Sequence, residues 1–122
     1  MGAAGERSRG VPPAPLDLVA RVLAIVPDLM LSSRVEESLR SAGHEVAVMQ
    51  SLPDPVDADL LICDLDAVDV EKVAQADPPT LGFYSHVDVE TKRAADAAGI
   101  DLAVPRSRMA RELPALVDKL LD

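Results

Sequence analysis

Aromatic residues are nearly missing from this 122-residue chain: it holds one Phe, one Tyr and no Trp. That scarcity excludes a nucleic-acid binder that stacks bases on aromatic rings. Basic residues are also in deficit. Lys and Arg total 12 against 21 Asp and Glu, a formal charge of −9. A binder of the nucleic-acid phosphate backbone needs a net basic face, so that class is excluded too. Cations, basic peptides and protein partners stay open. The single cysteine, Cys63, allows no intrachain disulfide and no cysteine-rich zinc site. Its position inside an apolar run fits a reducing cytoplasm. No hydrophobic run approaches the roughly 20 residues that span a membrane, and no apolar stretch near the N-terminus reads as a secretory signal. The chain opens Met1-Gly2, but Glu6 stands where a myristoylation motif has Ser or Thr. Together these absences predict a soluble cytoplasmic protein.

What is present is enough for a core. Hydrophobic residues make up 48% of the chain, which excludes wholesale disorder. The length suits one domain that needs no staple. Residues 1–18 are the exception. Gly2, Gly5, Gly10, Pro12, Pro13 and Pro15 crowd this stretch, and it cannot bury enough to order itself. The expectation is a disordered N-terminal tail over 1–18 and a folded domain over 19–122.

Within that domain the punctuation is regular. Arg21 to Val26 is a short apolar run stopped by Pro27, which reads as a strand buried on both faces. Leu31, Val35, Leu39 and Ala42 share one face of a helix. Ser33 with Glu36 forms a candidate capping box, and Gly43 ends the helix. Glu45 to Met49 is a second strand. Ser51 to Asp59, with its prolines and aspartates, is too short and broken for a full helix. Leu60 to Cys63 is a third buried strand, followed at once by Asp64, Asp66 and Asp69. Val70 to Ala76 is a short helix, Thr80 to Tyr84 a fourth strand, and Asp88 to Ala98 an Ala-rich helix closed by Gly99. Leu102 to Val104 is a fifth strand. Met109, Leu113, Leu116, Val117 and Leu120 mark the last helix. Pro114 is tolerated only in a first turn, so this helix is expected to start late.

Short buried strands alternating with helices predict an α/β fold: a doubly wound, five-stranded parallel sheet covered on both faces. The short connections suggest flavodoxin-like winding, strand order 2-1-3-4-5, with shortened second and third helices. Such a fold places ligands at the carboxyl ends of strands 1 and 3. The residues to inspect are therefore Pro27 and Asp28, then Asp64 to Asp66, Ser85 and His86, and Pro105 to Ser107.

At these positions the chain resembles the receiver domain of bacterial two-component response regulators, over roughly Arg21 to Leu121. The resemblance implies a particular chemistry. Clustered carboxylates hold Mg²⁺, which neutralises charge on a phosphoryl group transferred from a histidine kinase to the strand 3 aspartate. A hydroxyl after strand 4 and a lysine after strand 5 read the phosphate. Asp64 falls on the phosphoacceptor position, Asp28 on the second of two acidic positions, and Ser85 on the hydroxyl position. Pro27 replaces the first acid. Val104-Pro105-Arg106 replaces Lys-Pro, with either Pro105 or Arg106 in the lysine slot. These departures imply an atypical receiver, or pseudo-receiver. Its partner surface would be the family's helix 4, strand 5 and helix 5 face, here carrying Val89 and Arg108.

The same residues have simpler readings. Asp64 can merely cap the next turn, Asp28 the first helix, and Ser85 the helix at Asp88. Asp66 and Asp69 read as solvated loop acids, and His86 as an exposed loop residue. His44 sits at a helix end, where a cation is favoured. Cys63 reads as a small core residue. Arg106, Arg108 and Arg111 form a basic patch that suits an acidic partner or simply solvates a face. Weighed together, these features predict a stand-alone atypical receiver-like signalling and interaction module, phosphorylation-independent or weakly phosphorylatable. It would have no enzymatic activity beyond self-phosphorylation at Asp64. The alternative is a genuine phosphoacceptor using Asp64, with Mg²⁺ on Asp28 and Asp64. A third reading, a small α/β ligand-binding domain or enzyme, lacks a Gly-rich phosphate loop, a Walker A lysine and a nucleophile elbow.

Overall fold

The computed structural model describes residues 20–85 and 89–121; the expected tail, His86 and Asp88 lie outside them. Among the described residues are five strands and four helices. They are β1 (Arg21–Ile25), α1 (Leu29–Ser41), β2 (Glu45–Met49), β3 (Leu60–Asp64), α2 (Val70–Ala74), β4 (Thr80–Tyr84), α3 (Val89–Ala98), β5 (Leu102–Pro105) and α4 (Arg106–Leu121). All pairings are parallel and the order is β2-β1-β3-β4-β5. This is the flavodoxin-like winding expected from the sequence. The order reverses between β1 and β3, where Ile25 pairs with both Met49 and Cys63.

Strand side chains alternate between two cores. Val22, Ala24, Leu60, Ile62, Leu81 and Phe83 face α1 and α4, while Leu23, Ile25, Leu61 and Cys63 face α2 and α3. Burying each large apolar side chain contributes about 1.5–3 kcal/mol, so two filled layers are what order the sheet. The link between β2 and β3 carries no helix. Its Leu52, Val56 and Ala58 pack on the second core instead, and Arg21 clamps its far end through a 3.0 Å contact with Asp57. Gly82 lies in β4, where a Cβ would come within 2.7 Å of the Leu65 side chain. The missing side chain is the space Leu65 fills.

Three local expectations need correction. Helix α1 starts at Leu29 with Asp28 as its N-cap, not at a Ser33–Glu36 box, because Asp28 is the extended residue whose carboxylate meets the free amides of the first turn. Helical backbone begins at Arg106, well before Pro114. Glu112 breaks it with φ −118° and ψ 15°, so Pro114 still sits near the start of a helical segment, where its missing N–H costs least. His44 is buried, and its Nδ1 accepts a 3.1 Å hydrogen bond from the Ala20 amide. It pins the starts of β1 and β2 together, while its own amide donates to the Leu39 carbonyl at the end of α1. Gly43 behaves as expected, ending α1 at φ +96°.

Candidate functional site

The carboxyl ends of the strands open on one mouth, and each functional side chain there is fixed by local backbone chemistry. Pro27 has no amide to extend the β1 ladder, so the chain turns at Asp28. Asp28 Oδ1 accepts from the amides of Met30 at 3.0 Å and Leu31 at 3.1 Å. Its second oxygen, Oδ2, accepts from Arg106 Nη2 at 2.8 Å. The Leu31 amide first, then the Arg106 guanidinium, hold the Asp28 carboxyl below its ordinary range.

Asp64 is the last residue of β3 and half-buried. Its Oδ1 accepts from the Asp66 amide at 2.9 Å, which bends the chain away from the strand. Burial raises its pKa above the ordinary value, and the neighbouring charges of Asp66 and Asp28 push the same way. The Asp66 amide and the Arg106 charge oppose them. Asp66 turns back and accepts from the Ser85 amide at 3.0 Å through Oδ2, joining the loops after β3 and β4. Asp69 caps α2 through the Glu71 amide. Reading Asp66 and Asp69 as merely solvated acids therefore misses two backbone ties. Next to Asp64, the Cys63 thiol is buried and its pKa is pushed up to about 12. It is an inert core group.

Asp28, Ser85 and Arg106 line one groove of about 880 Å³, together with Met30, Arg34 and Ser107. Asp64 and Asp66 do not line that groove: Asp66 reaches its edge through the Ser85 amide, and Asp64 feels the Arg106 and Asp28 charges from the end of β3. After β5, Pro105 is the strand residue opposite Tyr84, and Arg106 is the first helical residue. Arg108 and Arg111 both approach Glu112 at 3.5 Å, so the expected basic patch is partly neutralised. Arg34, with Met30 and Ala110, is a lining residue that sequence reasoning missed. Its signal was its spacing of four from Met30, which puts both on one helical face.

A Mg²⁺ ion asks for near-octahedral oxygens at about 2.0–2.1 Å, from one or two carboxylates plus water. Most of the oxygens here are committed elsewhere. Both Asp28 oxygens are engaged, Asp64 Oδ1 and Asp66 Oδ2 each hold an amide, and Pro27 offers no carboxylate. Among the described residues no cluster of three or more His, Cys, Asp or Glu is arranged to hold a metal. As arranged, this mouth does not fit the ion.

No family model and no curated protein sequence matches the chain. Solved structures do. The chain is similar to the receiver domain of ChxR from Chlamydia trachomatis, with TM-score 0.67 and 20% identity, covering 84% of this chain and 99% of that one. It is similar to a chain from Chloroflexus aurantiacus assigned as a response regulator, with TM-score 0.68 and 25% identity over 84% and 97%. It is also similar to the non-phosphorylated HemR receiver domain from Leptospira biflexa, with TM-score 0.70 and 18% identity over 84% and 94%. Strand order, helix placement and these likenesses agree: the fold of this chain is that of the response-regulator receiver domains of two-component signalling.

Proposed function

We propose that this chain is an atypical receiver-type signalling module that works through protein contacts and does not depend on phosphorylation of Asp64. The observation that carries this reading is the Arg106–Asp28 pair. The cation nearest the strand 5 end is spent on a capping aspartate at 2.8 Å, so the group that would read a phosphate on Asp64 is held by another partner. In this reading the module is not an enzyme, and Mg²⁺ is not required. Its output surface is α3, β5 and α4. In support, among the described residues β5 pairs only with β4, which leaves one strand edge at that side of the sheet. Among the described residues no helix is long and apolar enough to cross a membrane. With the buried Cys63, that suits a cytoplasmic setting.

A second reading, a working phosphoacceptor fed by a histidine kinase, is favoured by one observation. Asp64 ends β3 half-buried, with Ser85 tied into the adjoining loop through Asp66. Amide NMR on wild type and Asp64→Asn separates the two readings. Beryllofluoride with Mg²⁺, a mimic of the acyl phosphate, is added to each. Unchanged wild-type amides at Asp28, Asp66, Ser85 and Arg106 support the proposal. Shifts there that vanish in Asp64→Asn would establish the phosphoacceptor.

A further inference from the structure

Arg106 is 78 positions from Asp28 in sequence, and its guanidinium holds the one Asp28 oxygen that the α1 cap leaves over. The pair is only half-exposed, at 39% and 41% of the side-chain surface. The same positive charge also acts on Asp64, against the charges of Asp28 and Asp66. A guanidinium stays protonated across the whole working pH range and offers several donors in a fixed plane. It is covalently part of the chain, so no change in free metal concentration removes it.

We infer that Arg106 is the resident counter-cation of this mouth, doing the charge neutralisation that a divalent metal would do and shutting such a metal out of the Asp28–Asp64 pair. The inference rests on the atypical-receiver reading above and adds its chemical basis. Removing the guanidinium frees Asp28 Oδ2, whose charge already acts on the Asp64 carboxyl at the neighbouring strand end. Two carboxylates completed by water are the usual protein share of a weak Mg²⁺ or Mn²⁺ site. The blocked site is thus latent and can be opened by one substitution.

The test is Mn²⁺ line broadening of amide NMR signals, with Mg²⁺ as competitor, on the full chain. Wild type is expected to show no selective broadening at Met30, Leu31, Asp66 or Ser85. Arg106→Ala and Arg106→Gln are expected to show it, relieved by Mg²⁺, with apparent metal affinity at least about tenfold above wild type. Arg106→Lys keeps a cation and stays silent. Asp28→Asn added to Arg106→Ala silences it again. Having both Ala and Gln variants protects the test against one of them failing to fold. Equal broadening in wild type and the Arg106 variants would overturn the inference, as would silence in all of them. Failure of the functional reading looks different. A beryllofluoride response of wild type without metal would end phosphorylation independence while leaving Arg106 in its role. Metal binding by wild type with no beryllofluoride response would do the reverse.

Discussion

The two faces of the sheet are covered very differently. On one, α1 with 13 residues and α4 with 16 lay Leu31, Val35, Leu39, Met109, Leu113, Leu116 and Val117 onto the strands. On the other, α2 has five residues and α3 has ten, and a helix-free link supplies Leu52, Val56 and Ala58. Leu65, a loop residue, fills the space over Gly82. The thick face is a helix-on-sheet layer, while the thin one is closed partly by loops. The candidate site lies where these coverings meet: Asp28 and Arg106 come from the thick face's helix starts, Asp64 from the end of β3, and Asp66 and Ser85 from the loops after β3 and β4. The longer helices hold the Asp28–Arg106 pair.

The comparison can be broken most directly at equal chemistry on the two sides. Leu39→Ala on the thick face is expected to cost toward the upper end of about 2–5 kcal/mol, because Leu39 is fully buried among helices. Leu65→Ala on the thin face is expected toward the lower end, since a loop can collapse into the gap. Urea denaturation measures both, and a larger loss at Leu65 would reverse the ranking. Next, Gly82→Ala is expected to cost about 1–3 kcal/mol by overpacking. The loss should shrink in the Gly82→Ala, Leu65→Ala double variant, because the atoms in conflict are those of Leu65. Independent, additive losses would mean Leu65 is not what Gly82 accommodates.

Smaller effects sharpen the picture at the mouth. Asp64 has a folded-state pKa raised above its ordinary value. Its ionisation therefore costs stability as pH rises through that pKa. Asp64→Asn is expected to be modestly more stable than wild type at neutral pH, with the gain fading in acid as the wild-type carboxyl takes up its proton. Thermal melts across pH check this, and a constant difference would remove the electrostatic account. The smallest effect belongs to the Glu36–Arg40 pair on the exposed side of α1, 2.7 Å apart at i,i+4. Glu36→Gln should cost only about 0.3–0.5 kcal/mol and diminish in salt. A loss comparable to Leu39→Ala would mean surface charge, not packing, carries the thick face.

Much of the fold was legible in the sequence. Arg21 to Val26 and Leu60 to Cys63 read as strands because short apolar runs with no polar face have no other stable home. Gly43 and Gly99 marked helix ends because both adopt positive φ, at +96° and +95°. The start of α1 was harder to read. Ser33 and Glu36 have capping-box spacing, but so does any Ser-x-x-Glu, and Asp28 won because the turn at Pro27 aimed it at the free amides. His44 misled because its neighbour Gly43 placed it at a helix end, while its ring partner, Ala20, lies 24 positions away.

The sequence by itself determined the alternation of elements, the winding and which loops gather at the sheet's open end, because periodicity and punctuation are local and strand ends follow from them. It also put Asp28, Asp64, Ser85 and Arg106 into that neighbourhood. Only the tertiary structure decided who bonds to whom there. Arg106 goes to Asp28 and not to Asp64, and Asp66 turns to the Ser85 amide. Those choices depend on distances of a few ångströms between chain segments tens of residues apart. A one-residue difference at Pro105 changes where a guanidinium reaches, and no local pattern carries that information.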